Sequence, residues 1–350
     1  MTLKDQLIDR IRTVGPIRIS DFMAECLMHP QLGYYATRDP FGAQGDFTTA
    51  PEMTQMFGEL LGLSLAQAWA DQGSPERFAL AEAGPGRGTL MADLLRATRR
   101  VPGFHDALEL HLIEASPALR RKQRELLGEA TWHDSVDTLP DLPLFFVANE
   151  FFDALPIRQF IRDGAGWRER LVGFENAALC YGLGAVADQP ALAHRLDDTE
   201  DGDLVEVCEA AAPIVASIGA RIERFGGAAL IVDYGDWRSL GDTLQALKSH
   251  KEVDALDLPG DADLTAHVDF EALCAAAPCA YSRVTPQGVF LERLGITQRA
   301  QTLANLMEPV QIEQHIAAHR RLTHPEEMGN LFKVVALYPS GAHPPAGVEA

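Results

Sequence analysis

The stretch from Phe78 to Arg100 constrains this chain most. Phe78–Ala83 is a short apolar run, Gly84-Pro85-Gly86-Arg87-Gly88 a tight turn, and Thr89–Arg100 has helical character. Strand, turn and helix then recur: Leu108–Ile113 and Leu144–Ala148 read as strands, and Pro117–Leu127 as the helix after the first of them. Alternating strands and helices imply a parallel sheet joined by right-handed crossovers. The predicted class is therefore α/β. Glycines at alternate positions let the backbone bend sharply and approach a ligand without an intervening Cβ. Taken alone, Gly-x-Gly describes a tightly packed strand-to-helix turn equally well.

The remaining segments elaborate this centre. The first seventy residues read as mainly helical, with residues 53–71 predicted as an amphipathic helix. The long polar segment from His29 to Glu52 reads as a lid or binding loop. After the buried strand, short strands at 157–161, 167–174 and 179–185 suggest an antiparallel meander. Residues 204–224 read as helical, 228–232 as a buried strand and 331–338 as a final strand. The tail from Pro339 is expected to fray. With 350 residues and about 150 per domain, one elaborated domain or two is expected. The predicted parts are a helical extension with its lid loop (1–75), a core (76–156, 226–236 and 280–338), and insertions forming a substrate-facing subdomain (157–225 and 237–279). A flexible tail (339–350) completes the division.

Charge narrows the partners. Thirty Lys and Arg against fifty Asp and Glu give a net charge of −20, which repels phosphate backbones and anionic membranes and favours a cationic partner. Five cysteines without a Cys-x-x-Cys pair argue against a disulfide scaffold or zinc ribbon. No apolar stretch reaches the ~18 residues of a membrane helix, and Met1–Arg10 resembles neither a signal nor a transit peptide. The sequence thus predicts a cytoplasmic protein with no nucleic-acid partner and no membrane insertion.

The polar residues at predicted strand ends carry the chemistry. Glu82, two residues before Gly84, suits a ligand's ammonium group and would repel a dinucleotide's pyrophosphate. The spacing Gly-x-Gly-x-Gly, unlike the dinucleotide Gly-x-Gly-x-x-Gly, is associated with S-adenosylmethionine sites. Glu114, ending the second strand, suits a ribose diol, or else a helix N-terminus. Asp134 and Ser135 fall where a third strand would end and could meet an adenine amino group, or form an ordinary turn. Asn149, Glu150 and Asp153 interrupt the most apolar stretch, Leu142–Leu155. Burying them is costly unless they are paired or face a cavity, so a substrate-facing role is favoured over capping the next helix. His315 and His319 stand four apart; without a His-Glu-x-x-His pattern they read as a polar surface face, and no metal site is expected. His267 could reach the crevice or be a structural histidine at a helix start, and Tyr234 could help line the crevice, with packing as its default reading.

These residues, with His29-Pro-x-x-Gly33-Tyr-Tyr35, Gly45-Asp-Phe-Thr-Thr-Ala-Pro-Glu52, Leu230-Ile-Val-Asp-Tyr-Gly235, Asp263-Leu-Thr-Ala-His-Val-Asp-Phe270, Gln287-Gly-Val-Phe-Leu291 and Met328-Gly-Asn-Leu-Phe-Lys-Val334, resemble the MidA family of S-adenosylmethionine-dependent methyltransferases. Ala83 departs from the pattern, which has a larger apolar residue there. The resemblance implies a Rossmann-like class I methyltransferase fold with a mostly parallel seven-stranded sheet. It implies S-adenosyl-L-methionine as cofactor, S-adenosyl-L-homocysteine as product, and no metal. The resemblance implies that Glu82, Gly84, Gly86 and Glu114 hold the cofactor, with the loop around Asp46, Thr48 and Glu52 closing over it; Pro85, Gly88, Asp134 and Ser135 are taken with them as cofactor-binding candidates. The family includes a mitochondrial assembly factor that methylates an arginine of a respiratory complex I subunit. A protein substrate with an exposed arginine is thus implied, with Glu150, Asp153 and Asn149 catalytic. Another acceptor (a glutamine amide or small molecule), or a non-catalytic assembly factor retaining the pocket, stays open at this point. Glu82 and the glycine spacing argue against a nicotinamide-dependent oxidoreductase.

Overall fold

The computed structural model describes residues 1–37 and 49–350. Its main sheet is built on β1 (Phe78–Ala83), β2 (Leu108–Ile113), β3 (Thr131–His133) and β4 (Leu144–Asn149). Every residue of β1 and β4 is buried, as strands covered on both faces must be. Between β4 and the next core strand lie β5 (Arg158–Asp163), β6 (Gly166–Glu175), β7 (Ala178–Ala187) and β8 (Leu204–Val207). The core resumes with β9 (Gly227–Asp236) and ends with β10 (Phe332–Tyr338). The strand order is β3-β2-β1-β4-β9-β10, with the short strand Ala280–Tyr281 at the far edge. Pairing is parallel from β3 to β9 and antiparallel at β10 and Ala280–Tyr281. Two further short strands, Val268–Asp269 beside β9 and Thr285–Pro286 beside β10, make nine in this mostly parallel sheet, seven of them along its main path, as a Rossmann-like fold requires. The chain runs outward from β1 through β3, then returns to the other side at β4. The crevice at the carboxyl ends of β1 and β4 is therefore a topological switch point, where α/β sheets bind ligands.

The helices include α1 (Leu3–Val14), α2 (Ile19–Met28), α3 (Ala50–Met53), α4 (Gln55–Asp71), α5 (Thr89–Thr98), α6 (Pro117–Leu127) and α7 (Ala211–Phe225); α4, α5 and α7 cover this sheet, and α1 and α2 serve the smaller one. Side-chain alternation sorts the two faces. Phe78, Leu80, Phe145 and Val147 pack against Phe57, Leu61 and Leu65 of α4 and Leu90 and Leu94 of α5. Ala79, Ala81 and Phe146 face Val215, Ile218 and Ile222 of α7. The smaller sheet is antiparallel: β6 pairs with β5 and Ile17–Arg18 along one side and with β7 along the other, and β8 closes on β5. Leu7 and Ile11 of α1 and Phe22 and Met23 of α2 cover it, joining Ile157, Val172 and Leu179.

Several expectations change. The helix predicted over 53–71 divides at Thr54, and α4 is buried around most of its surface, not amphipathic, because both the sheet and other helices enclose it. Leu204–Val207 is a strand paired to β5, so helix begins only at Ala211. Helix α7 and the helix Phe270–Ala276 pack on the core sheet, although both fall within the predicted insertions. The tail 339–350 is anchored: Ser64 Oγ donates to Ala346 O at 2.7 Å, Arg283 N to Glu349 O at 2.8 Å, and Val348 is buried. His315 is no surface residue; its ring bonds to Ala300 O at 3.0 Å, while His319 meets Thr297 at 3.1 Å. Among the described residues no cluster of His, Cys, Asp or Glu could hold a metal, and no helix is long and apolar enough to cross a membrane.

Candidate functional site

The first half of the crevice grows from the end of β1. Gly84 and Gly88 take φ of +63° and +88°, a region side chains disfavour. A Cβ on Gly84 would lie 3.1 Å from Phe151 Cδ2, and one on Gly88 3.1 Å from Leu127 Cδ1. A side chain at either position would be strained and would press on its neighbour, so bare positions suit this turn. Gly88 also starts α5. Glu82 is buried beneath this turn, and its Oε2 has no hydrogen-bond partner. Burial, and then the nearby Glu114 carboxylate, push its pKa up to about 8.

Glu114, at the end of β2, is more fully satisfied. Its Oε1 accepts from Ser116 N at 2.7 Å and its Oε2 from Gln123 Nε2 at 3.2 Å. Burial still raises its pKa. Gln123, wholly buried on α6, also donates to Gly86 O at 2.7 Å and accepts from Trp132 Nε1 at 2.8 Å. One amide thus ties the glycine turn, Glu114 and β3 together; its only trace in the sequence is a polar residue on the apolar side of a helix. Asp134 and Ser135 follow β3, but the exposed Asp134 carboxylate pairs with Arg120, and Ser135 Oγ accepts from Asp137 N at 3.2 Å. Helix α3 lies across the turn: Glu52 Oε1 accepts from Thr89 Oγ1 at 2.6 Å, and Arg87 stands 3.9 Å from its other oxygen. Asp46 and Thr48 lie outside the described residues.

The second half is built at the ends of β4 and β9. Glu150 has a φ of +50°, a costly conformation for a non-glycine residue, which persists only where its surroundings enforce it. Asp233 enforces it. Fully buried at the end of β9, its Oδ2 accepts from the backbone N–H groups of Phe151, Phe152 and Asp153 at 3.2, 3.0 and 3.3 Å. Its Oδ1 accepts from Tyr234 N at 3.0 Å. Asp233, not Asn149 or Asp153, therefore caps the turn, and sequence reasoning gave it no role. Asn149 Nδ2 donates to Glu150 Oε1 at 3.1 Å, leaving Asn149 Oδ1 without a partner. The Glu150 carboxylate also accepts from the Ala50 backbone N–H. Asp153 takes a hydrogen bond from the Tyr234 hydroxyl, and its Oδ1 has no partner. Burial raises Glu150 to about 8, helped by Asp153, and raises Asp153 to about 6. Asp233 is driven well above the usual carboxylate range by burial and then by both neighbours. His267 meets the Tyr234 ring edge-on, 5.5 Å between centroids.

Residues 60–288, well over half of the chain, match the model of a family described as S-adenosyl-L-methionine-dependent methyltransferase. This chain belongs to that family. The mitochondrial protein arginine methyltransferase NDUFAF7 of Danio rerio is 38% identical over 93% of this chain and 84% of its own length. The human protein of the same name is 34% identical, covering 95% and 82%. The crystal structure of a Burkholderia thailandensis superfamily member bound to S-adenosyl-homocysteine superposes with a TM-score of 0.82 at 29% identity, covering 99% of this chain and 92% of that one.

The methyltransferase uses S-adenosyl-L-methionine, and its own residues suit that compound. A turn whose three glycines all take positive φ adjoins a buried carboxylate with an unpartnered oxygen, an acceptor for a cation. The expectation of a cytoplasmic protein is corrected by the relatives, whose names place them in mitochondria. That expectation rested on composition and on Met1–Arg10, and relatives matching nearly the whole chain carry mitochondrial names instead.

Proposed function

We propose that this methyltransferase modifies an arginine nitrogen of a protein substrate, such as a subunit of respiratory complex I. The observation that carries the proposal is the Asn149–Asp153 turn, which presents buried carboxylates and two unpartnered oxygens beside the glycine cradle. The names of the curated relatives support the same acceptor.

Bound S-adenosyl-L-methionine supplies a methyl group activated by sulfonium. In this reading Glu82 receives the ammonium group, Glu114 the ribose hydroxyls, and Gly84, Pro85, Gly86 and Gly88 give close backbone approach. Asp134 and Ser135 form the adenine rim, and Glu52 covers the site. The N-terminal helices and the inserted strands form the substrate-facing side. A guanidinium, with pKa above about 12, arrives protonated and delocalised. Glu150 and Asp153 orient its plane through paired N–H···O bonds, and Asn149 Oδ1 accepts a further N–H. Localising positive charge near these carboxylates leaves the attacking nitrogen richer in electrons. As that nitrogen gains the methyl group it loses one proton, which Glu150 or Asp153 collects; a carboxylate with a pKa near the working pH suits this exchange. Positioning and exclusion of water supply much of the rate.

The test is incubation with methyl-labelled cofactor and mitochondrial protein, followed by amino-acid analysis of the labelled product. Labelled methylarginine that disappears with Glu150→Gln, while S-adenosyl-homocysteine still binds, supports the proposal. Label on another residue type overturns it.

A further inference from the structure

The smaller sheet ends in two unlike edges. At one edge β8 has only four residues, a length that itself discourages further pairing. At the other, β7 runs for ten residues, Ala178-Leu-Cys-Tyr-Gly-Leu-Gly-Ala-Val-Ala187. It pairs with β6 on one side, and among the described residues no strand pairs with the other. Natural edge strands are commonly guarded by charges, proline or brevity. β7 has none of these, although 23% of the chain is charged. Its guards are one register shift opposite Arg168–Arg170 and one carbonyl, Gly184 O, engaged by Arg168 at 3.3 Å. Leu179 and Tyr181 pack beneath α1 and α2, but Leu183 and Val186 are 54% and 45% exposed.

We propose that β7 pairs antiparallel with β7 of a second copy of this chain, joining the two smaller sheets across a twofold axis. A strand edge is complementary to itself in this arrangement, and the contact is isologous. Charge selects the occupant. Two chains of net charge −20 repel over most of their surfaces, so they can meet closely only where charge is missing. Between Glu175 and Asp188 there is no charged residue, so the pairing sets no like charges opposite each other. A basic protein substrate would find nothing on this strip to attract it. Pairing would give the outward N–H and C=O groups of β7 partners and cover Leu183 and Val186.

Sedimentation velocity of the full chain through the micromolar range tests this. The expected result is a dimer, twice 38.2 kDa, which tightens as salt rises because screening removes the repulsion. Leu183→Lys with Val186→Lys sets cations against each other across the axis and should weaken the dimer by about tenfold or more, which is ~1.4 kcal/mol. Thermal stabilisation by S-adenosyl-homocysteine, bound far from these residues in sequence, should be retained and reports that the variant is folded. Amide exchange at 178–187 should slow as the dimer forms. A wild type that stays monomeric, a double variant as dimeric as the wild type, or a dimer without protection at 178–187 overturns the proposal.

Discussion

The two ends of the crevice are held by different means. The glycine end is wired mainly within 82–135: Gln123 of α6 ties the turn, Glu114 and Trp132 of β3 together across consecutive strands and helices, with Glu82 buried beside them. The acidic end gathers the turn after β4, Asp233 and Tyr234 from β9, and Ala50 from the N-terminal part. One carboxylate, Asp233, carries four backbone hydrogen bonds there. The contrast teaches that the first end can form as soon as its own unit packs, while the second needs the whole sheet assembled.

The sharpest way to separate the ends is Glu150→Gln. Methyl transfer should fall by about 10²- to 10⁴-fold, the usual worth of a positioned proton acceptor, with cofactor affinity unchanged in calorimetry. Asp233→Ala should break the acidic end alone. It removes the acceptor of four backbone N–H groups, and a loss on the order of 3 kcal/mol is expected in urea unfolding, with the remaining folded protein still binding S-adenosyl-homocysteine. Equal loss of cofactor binding would show that the ends are not separable. Gly84→Ala attacks the other end, through strain at positive φ and contact with Phe151; cofactor affinity should weaken by about tenfold, corresponding to 1–2 kcal/mol.

A smaller, graded effect comes from pH. Glu82 and Glu150 titrate near 8 instead of 4.5, and Asp153 near 6 instead of 3.8, so across those intervals the folded chain holds more protons than the unfolded one. Stability of the ligand-free protein should therefore fall as pH rises from about 5 to 8. A ligand ammonium favours ionised Glu82, so its binding should release protons and tighten over the same range. Calorimetry in buffers of different ionisation heat would detect this, and Glu82→Gln should flatten it.

How much of this the sequence revealed follows from the same contrast. The turn after β1 was readable because strand, glycines and helix are consecutive, and Glu114 because it ends the next strand in the series. Asp233 was not, since its function depends on the parallel register that brings Val232 beside Asn149. Gln123 was hidden for a similar reason: its three partners are on different elements. The helix at 53–71 and the tail at 339–350 were misjudged because composition reports polarity, while burial depends on what packs alongside. In the tail, two backbone carbonyls meeting Ser64 and Arg283 outweigh its proline- and glycine-rich composition.

Helix α3 has only four residues, yet it grips Glu150 through Ala50 and the start of α5 through Glu52 and Thr89. A fragment trimmed to the family match would begin at residue 60 and end at 288, discarding this clasp along with β10. Such a fragment should lose both contacts, and shortened versions made for screening should keep α3 and the closing strand.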